Sequence, residues 1–519
     1  MDGKRRAVIS GVADEMRKRS MTRGELEALK TKMASGHRTE VPPNKEILKY
    51  LNGEEKGRFI KFLQKKPGRT ASGISIVAVM AKPEKCPHGT CVYCPTIKGV
   101  PQSYVDGEPA VMRAKALDYD AFRQAKCRTG QLLAIGHPAS KVELVVMGGT
   151  FTSRTERYQK SFIKGCYDGL NGFSSGSLKQ AQMTNETAKH RCVGLAIETR
   201  PDWVHEKEIG LMLSFGATRV EIGVQNPDDE IYEIVKRGHK VEDVIKATRI
   251  LKDSGLKVCY HIMPNLPGSD SDKDLRMFSG LFSDERFRPD MIKLYPTLVV
   301  GGSELDGIHK KGGYDVYSDE ELINLIIEMK RIVPEYVRIM RLQRDVPSQH
   351  IIAGCRYTNL REIVLREMKK RGLGCRCIRC REVRHREIST DDIEKSEIRI
   401  TEYEASDGTE HFLQYLTPDG LLLGLLRLRF PGSPFREEIT GKTALVRELR
   451  VFGPSTPVGA GAKTGIQHRG IGRSLLEKAE AIAKECGSDK MLVTSGVGAR
   501  EYYRKLGYAQ DGAYMGKSL

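Results

Sequence analysis

The sequence predicts an α/β protein built as a basic helical N-terminus, a partial (β/α) barrel and a smaller C-terminal α+β unit. Three observations predict this. Short apolar runs alternate with amphipathic stretches from Ile74 to Leu342, the pattern of parallel strands covered on both faces. From about residue 390 the texture changes to longer strands, turn signals and a glycine-rich loop that opens a helix. Residues 1–70 hold 18 Lys/Arg against 9 Asp/Glu, an excess of 18 − 9 = 9 within a net charge of +18. A length of 519 residues suits two to four domains. The predicted division is 1–68 basic helical, 69–370 barrel, 371–388 a cysteine linker and 389–519 the α+β unit.

In the N-terminal part, apolar residues recur at helical spacing over Glu25–Met33, Lys45–Leu51 and Phe59–Leu63. Val41-Pro42-Pro43-Asn44 interrupts them, and Asn44 is predicted as a helix N-cap. Lys65-Lys66-Pro67-Gly68-Arg69 reads as a linker. The predicted barrel strands are Ile74–Met80, Val142–Met147, Val193–Glu198, Arg219–Val224, Val258–Met263, Met291–Tyr295 and Val337–Leu342. Helices such as Val241–Asp253 and Asp319–Ile332 separate them. Repeated strand–helix units place chemistry at the C-terminal strand ends.

The loop after the first strand reads Lys85-Cys86-Pro87-His88-Gly89-Thr90-Cys91-Val92-Tyr93-Cys94-Pro95. Cys86, Cys91 and Cys94 offer three thiolates, which suit three irons of a 4Fe–4S cluster and leave the fourth iron open to chelate a small molecule. A zinc knuckle short of one ligand, or three unrelated cysteines, has the same residues. The C-x4-C-x2-C spacing with Tyr93 before the last cysteine resembles the radical S-adenosylmethionine (SAM) motif, lengthened by one residue.

Other strand ends carry polar or glycine-rich residues. Gly148 and Gly149 let backbone approach a ligand closely or simply make a tight turn. Glu198 stands where a carboxylate bonds a ribose or forms an ion pair. Glu221 to Gln225, His261 to Gly268 and Lys293 to Thr297 repeat the theme, and polar groups gathered at one rim point to a pocket.

A second cysteine group, Cys375, Cys377 and Cys380, has the geometry of a metal clip. Zinc needs a fourth ligand, with nearby His385 or a distant residue as candidates. Downstream, Phe412–Tyr415, Leu421–Phe430 and Ala444–Val451 read as antiparallel strands with Thr417-Pro418-Asp419-Gly420 as a turn. Gln467-His468-Arg469-Gly470-Ile471-Gly472-Arg473-Ser474 then opens a helix, presenting free N–H groups and a positive dipole to a pyrophosphate. Strand, Gln-x-x-Gly-x-Gly and helix match the acetyl-CoA loop of GNAT-type N-acetyltransferases. Tyr502 and Tyr503 on the last helix are core residues, or they supply a phenol to the CoA sulfur.

Both motifs in one chain resemble the catalytic subunits of Elongator, the tRNA wobble-uridine acetyltransferases. The resemblance runs from about Arg69 to the C-terminus, through Arg69–Ile74, Val146–Phe151, Ile197–Asp202, Lys293–Leu298, Gln343-Arg344-Asp345, Val446–Leu449, Gln467–Gly472 and Tyr502–Tyr508. It implies a radical SAM partial barrel with a C-terminal GNAT domain and a tRNA-binding N-terminus. Cys86, Cys91 and Cys94 would hold the cluster, with SAM near Gly148, Gly149, Glu198 and Gln225. Acetyl-CoA would lie along Glu448, Leu449, Arg450 and Val451, at Gln467 and Gly470–Ser474 (Gly470, Ile471, Gly472, Arg473, Ser474), and against Tyr503 and Lys141. Lys293, Tyr502 and Tyr503 are the catalytic candidates, and the implied cofactors are a 4Fe–4S cluster, SAM, acetyl-CoA and zinc. The implied chemistry removes a hydrogen from the acetyl methyl group, joins that carbon to uridine C5 and hydrolyses the thioester to 5-carboxymethyluridine. One departure concerns Arg450-Val451-Phe452, where many members have His-Val-Tyr, so that histidine's side-chain role does not carry over to Arg450, while backbone N–H contacts do.

The expected partner is the tRNA anticodon stem-loop, with a homodimer or Elongator-like subunits as further partners and no membrane. No apolar run nears the roughly 18–20 residues that span a bilayer. Twelve cysteines, six of them in two tight groups, favour metal and cluster ligation in a reducing, cytoplasmic setting over disulfides. A protein lysine acetyltransferase is the rival reading, and the cationic excess disfavours its basic substrates.

Overall fold

The computed structural model describes residues 3–65, 70, 73–383, 388–453 and 470–519. Four N-terminal helices come first: α1 (Gly3–Lys18), α2 (Arg23–Gly36), α3 (Asn44–Tyr50) and α4 (Gly53–Leu63). They enclose a small core of Val8, Val12, Met16, Leu26, Ile47 and Leu63. Capping boxes at Thr22/Glu25 and Asn52/Glu55 start α2 and α4, each satisfying two end N–H groups. Asn44 is not the predicted cap. Pro43 holds that position, and the Asn44 side chain instead accepts from Lys30 Nζ at 2.7 Å and donates to Leu63 O at 3.1 Å, tying α2, α3 and α4 together.

The barrel strands are β1 (Ser75–Met80), β2 (Lys141–Met147), β3 (Arg191–Thr199), β4 (Arg219–Gln225), β5 (Lys257–Ile262) and β6 (Met291–Leu294). A two-residue β7 (Val299–Val300) precedes β8 (Arg338–Arg341) and β9 (Ile351–Ala353). Seven strands form one sheet in the order β1-β2-β3-β4-β5-β6-β8, every pair parallel. Parallel pairing demands crossovers, and helices including Ala121–Ala134, Glu156–Asn171, Val241–Asp253 and Asp319–Ile332 supply them. The sequence predicted all seven strands within a few residues. The antiparallel pair β7–β9 braces the loops after β6 and β8.

The C-terminal sheet comprises β10 (Glu397–Ala405), β11 (Gly408–Leu416), β12 (Leu422–Phe430), β13 (Thr443–Val451), β14 (Lys490–Val493), β15 (Ala509–Asp511) and β16 (Tyr514–Ser518). Its order is β10-β11-β12-β13-β14-β16-β15. Only β13–β14 is parallel, and that pairing ends at Val446↔Val493 while β13 runs on to Val451. The β12–β13 register slips so that Arg427 faces Glu448 and Leu428 faces Val446, which makes Arg447 the extra residue of a bulge. Bulge and early strand end together open the sheet beside Glu448–Val451.

This sheet packs against the N-terminal ends of the barrel strands. Arg447 reaches Asp290, one residue before β6, and Leu256 O, one residue before β5. Arg429 is paired with Asp253 at 2.6 Å, and Tyr514 Oη donates to Ser254 O at 3.0 Å. Among the described residues no helix is long and apolar enough to cross a membrane.

Candidate active site along the barrel interior

The C-terminal strand ends gather most of the predicted rim residues. Ala81 N bonds Met147 O at 2.9 Å, which brings the start of the cysteine loop beside Gly148 and Gly149. Both glycines have left-handed φ values, 121° and 87°. A Cβ on Gly148 would stand 3.2 Å from Ala81 N, so a side chain there would push the two loops apart. Gln225 ends β4 with φ 69°, and its buried Oε1 has no hydrogen-bond partner among the described residues. Such an orphaned acceptor suits a bound polar ligand.

Burial pushes the Cys86 thiol up and the Cys94 thiol up to about 12. Cys91 Sγ lies 3.2 Å from His88 Nε2, and Cys94 Sγ lies 3.5 Å from Ser103 Oγ. Cys375, Cys377 and Cys380 place their sulfurs within 4.8 Å of one another, close enough for a single ion, and the first trio is not gathered that tightly. The wider spread suits sulfurs that each take a separate iron. Lys330, fully buried, donates to Cys380 Sγ at 3.5 Å, a cation placed against the second trio. His385, the candidate fourth ligand, falls outside the described residues, as do Gln467 and its neighbours from 454 to 469.

Between the rim and the opposite barrel end runs a ladder of buried charges. Arg219 joins Glu143 on β2 to Glu221 on its own strand, the second bond at 2.9 Å. Glu221 also takes Lys293 Nζ and, at 3.0 Å, His261 Nε2. Lys293 lies 3.7 Å from Glu198, whose carboxylate accepts from Tyr104 Oη at 2.7 Å. Burial alone would neutralise these groups. For Glu221 it is outweighed by Lys293 and then Arg219, and the carboxyl is held well below its ordinary value. For Lys293 burial is outweighed chiefly by Glu221, so its ammonium is held above the usual lysine value. Glu221, Cys259 and His261 also cluster within 4.8 Å. Two buried cations already satisfy that carboxylate, so this trio reads as a charge-paired network, not a metal site.

The ladder continues to the second sheet. Burial raises the Glu143 carboxyl, but Arg219 and then Arg450 outweigh it. Arg427 Nε donates to Glu448 at 2.9 Å, and Lys257 Nζ donates to Arg447 O at 3.2 Å. Lys141 stands at the start of β2, paired in register with Arg191. It therefore sits at the end facing the second sheet, away from the rim, and burial lowers its pKa.

Beside the second sheet, Gly470 caps the helix Ile471–Glu485 with φ 82°. A Cβ on Gly472 would meet Tyr502 Oη at 2.8 Å and Val451 Cγ2 at 3.5 Å. Thus Gly472, Val451 and Tyr502 converge where the sheet opens, with Arg473 and Ser474 in the same first helical turn. Tyr502 is 41% exposed, whereas Tyr503 is 6% exposed and packs edge-on to both Tyr502 and Tyr508. The structure brings Tyr502 to Gly472 at the helix start and sends Tyr503 into the core. Sequence reading missed Glu143 and Arg219, whose only signal is a charge inside an apolar strand, and Tyr104 and Arg237, which lie in loops and carry no such signal.

A tRNA uridine(34) acetyltransferase of Methanocaldococcus jannaschii is 51% identical over 528 residues, covering 99% of this chain and 98% of that protein. The chain belongs to the family of tRNA uridine(34) acetyltransferases and Elongator complex protein 3. Within this family, human Elongator complex protein 3 is 41% identical over 510 residues, covering 95% of this chain and 93% of that one. A solved Methanocaldococcus infernus Elp3 with an N-terminal deletion (1–46) superposes with a TM-score of 0.77 at 48% identity, covering 86% of this chain and all 100% of that one. Family models match the ELP3 N-terminal domain at 5–71, the radical SAM superfamily at 82–278, the radical SAM C-terminal domain at 289–370 and the GNAT acetyltransferase family at 385–508. The parallel sheet is thus a radical SAM half-barrel, and the second sheet belongs to a GNAT domain. Membership implies a 4Fe–4S cluster and SAM at the first and acetyl-CoA at the second. The left-handed glycines, the orphaned Gln225 Oε1 and the Gly472 contact fit those groups.

Proposed function

We propose that this chain uses acetyl-CoA to build a 5-carboxymethyl group on the wobble uridine of tRNA. The observation that carries the reading is the buried ladder from Glu448 and Arg450 through Glu143, Arg219, Glu221 and Lys293 to Glu198. Buried contacts such as Lys257 Nζ to Arg447 O tie the strand that would bind the thioester to the barrel. An acetyl methyl hydrogen is not acidic enough for a side-chain base near pH 7, and a cluster-bound SAM supplies the radical that can remove it.

The chain's own residues do the rest. The first turn of the helix at Gly470–Ser474 receives the pyrophosphate through backbone N–H groups, and Glu448–Val451 takes the pantetheine amides. Tyr502 presents a phenol where the sheet opens. Gly148, Gly149, Gln225 and Glu198 orient SAM, and Lys293 offers a fixed positive charge to the substrate that Glu221 and His261 hold in place. Exposed lysines on the N-terminal helices hold the anticodon stem-loop, and an extruded base enters at the rim. A zinc ion at Cys375, Cys377 and Cys380, a cytoplasmic setting, the division at 68, 370 and 388, and association with a second copy or partner subunits belong to the same proposal. Lys330 against the second trio supports the metal, since thiolates balance its buried charge.

The rival, acetylation of lysine side chains, meets a chain of net charge +18 that repels basic tails. Anaerobic incubation of reconstituted protein with acetyl-CoA, SAM and tRNA, followed by nucleoside analysis, separates the two. Carboxymethyluridine that disappears in Cys91→Ser supports the proposal. Unmodified uridine beside acetylated peptide supports the rival.

A further inference from the structure

Arg237 follows the short helix Asp229–Ile234 and is 5% exposed. Its Nη1 donates to Cys91 Sγ at 3.6 Å, its Nη2 donates to Gly223 O, and its buried Nε has no partner. Among the described residues no carboxylate lies within ion-pair distance of it. Neighbouring Arg200, by contrast, is held by both oxygens of Asp202 at 2.8 and 2.9 Å. A buried guanidinium without a counter-anion is destabilising, and a fold retains one only where an anion compensates. The segment around Arg237 is also clamped to the cysteine loop. Val92 N donates to Val235 O at 3.0 Å, and a Cβ on Gly238 would stand 3.0 Å from His88 Cβ.

We infer that Arg237 is the counter-cation of the cluster held by Cys86, Cys91 and Cys94 and raises its reduction potential through the N–H bond to the Cys91 sulfur. The inference rests on the cluster reading. Hydrogen bonds to ligand sulfur and net charge both set the potentials of such clusters. A cluster on three thiolates is anionic and becomes more so on reduction, so a nearby cation favours the reduced form. The step is uptake of one electron from an external low-potential donor. No covalent bond changes, and the guanidinium keeps its protons. Arg237 is thus a positioning and tuning residue.

The test compares full-length wild type, Arg237→Met and Arg237→Lys, reconstituted anaerobically with iron and sulfide. Midpoint potentials are read by EPR-monitored titration, and melting is followed for the apo proteins. Arg237→Met is expected to bind iron with a reduction constant at least tenfold lower, ~59 mV downward for one electron. Arg237→Lys should fall between. Equal potentials in wild type and Arg237→Met overturn the inference. Should Arg237→Met bind no iron, apo melting decides. Melting no lower than wild type, with Arg237→Lys still loading, supports a counter-charge role. Lower melting means a structural role through Gly223 and overturns the inference. A wild type without iron–sulfur absorbance overturns the cluster reading and this inference with it.

Discussion

Arg447 and Asp290 form a fully buried ion pair, Nη1 to Oδ2 at 2.8 Å and Nη2 to Oδ1 at 2.5 Å. Arg447 immediately precedes Glu448 on β13, and Asp290 immediately precedes β6, the strand that carries Lys293. Two residues therefore fix β13 relative to the barrel interior.

Asp290→Asn leaves Arg447 with Glu410 as its remaining anionic partner and is expected to destabilise the protein by about 3–5 kcal/mol, as when one partner of a buried pair is lost. Denaturant titration reads this. The pH dependence has a defined sign. Burial raises the Asp290 carboxyl, but Arg447, Lys252 and Arg427 outweigh it and hold it far below its ordinary value. Its contribution is full above the unfolded value of ~3.9 and is lost as pH falls toward the depressed folded one. The stability gap between wild type and Asp290→Asn should therefore begin to narrow below about pH 4 and keep narrowing as the pH falls further.

Lys293→Met leaves Glu221 bonded to Arg219 at 2.9 Å and to His261 at 3.0 Å. The fold and the iron content should survive. Nucleoside formation should drop by about 10²-fold, the scale for losing one preorganised charge at a reacting centre. Single-turnover product analysis checks it.

The two adjacent tyrosines should behave differently. Tyr502→Phe is expected to melt within about 0.5 kcal/mol of wild type, while tRNA-stimulated acetyl-CoA hydrolysis falls about 10²-fold for loss of a phenolic proton donor. Tyr503→Ala, which empties a core position, should cost about 3–5 kcal/mol. Calorimetry and a thiol-release assay distinguish the pair.

For RNA binding, the useful cations are those not spent internally. Arg5 is taken up by Glu46 and Arg17 by Glu55, so reversing those arginines tests folding as much as binding. Lys45 and Lys49 sit one turn apart on the exposed face of α3. Their joint reversal to Glu should weaken tRNA binding and flatten the plot of log affinity against log salt by about two units, since each lost phosphate contact removes roughly 0.9. A parallel plot would remove α3 from the interface.

The strands were legible because each barrel strand is a short apolar run, and the turn at Gly148 and Gly149 was legible because a left-handed backbone tolerates few other residues. Less legible elements failed for physical reasons. β10 went unread because its side chains are largely exposed, leaving no apolar run. Asn44 looked like a cap because capping and inter-helix bridging use the same amide. The charge ladder joins Glu143 to Arg219 across 76 residues, and a separate contact joins Arg237 to Cys91 across 146. Pairings this distant arise from strand order, which spacing in one sequence does not encode. Tyr503 matched its motif but packs inward, since helical phase sends adjacent residues to different faces.

The central claim is that one protein brings thioester and radical centre to the same carbon. Acetyl-CoA deuterated in the methyl group, turned over anaerobically with SAM and tRNA, tests it most directly. The account predicts deuterium in the released 5′-deoxyadenosine and dideuterated carboxymethyluridine in the tRNA. Carboxymethyluridine formed with unlabelled 5′-deoxyadenosine would contradict it.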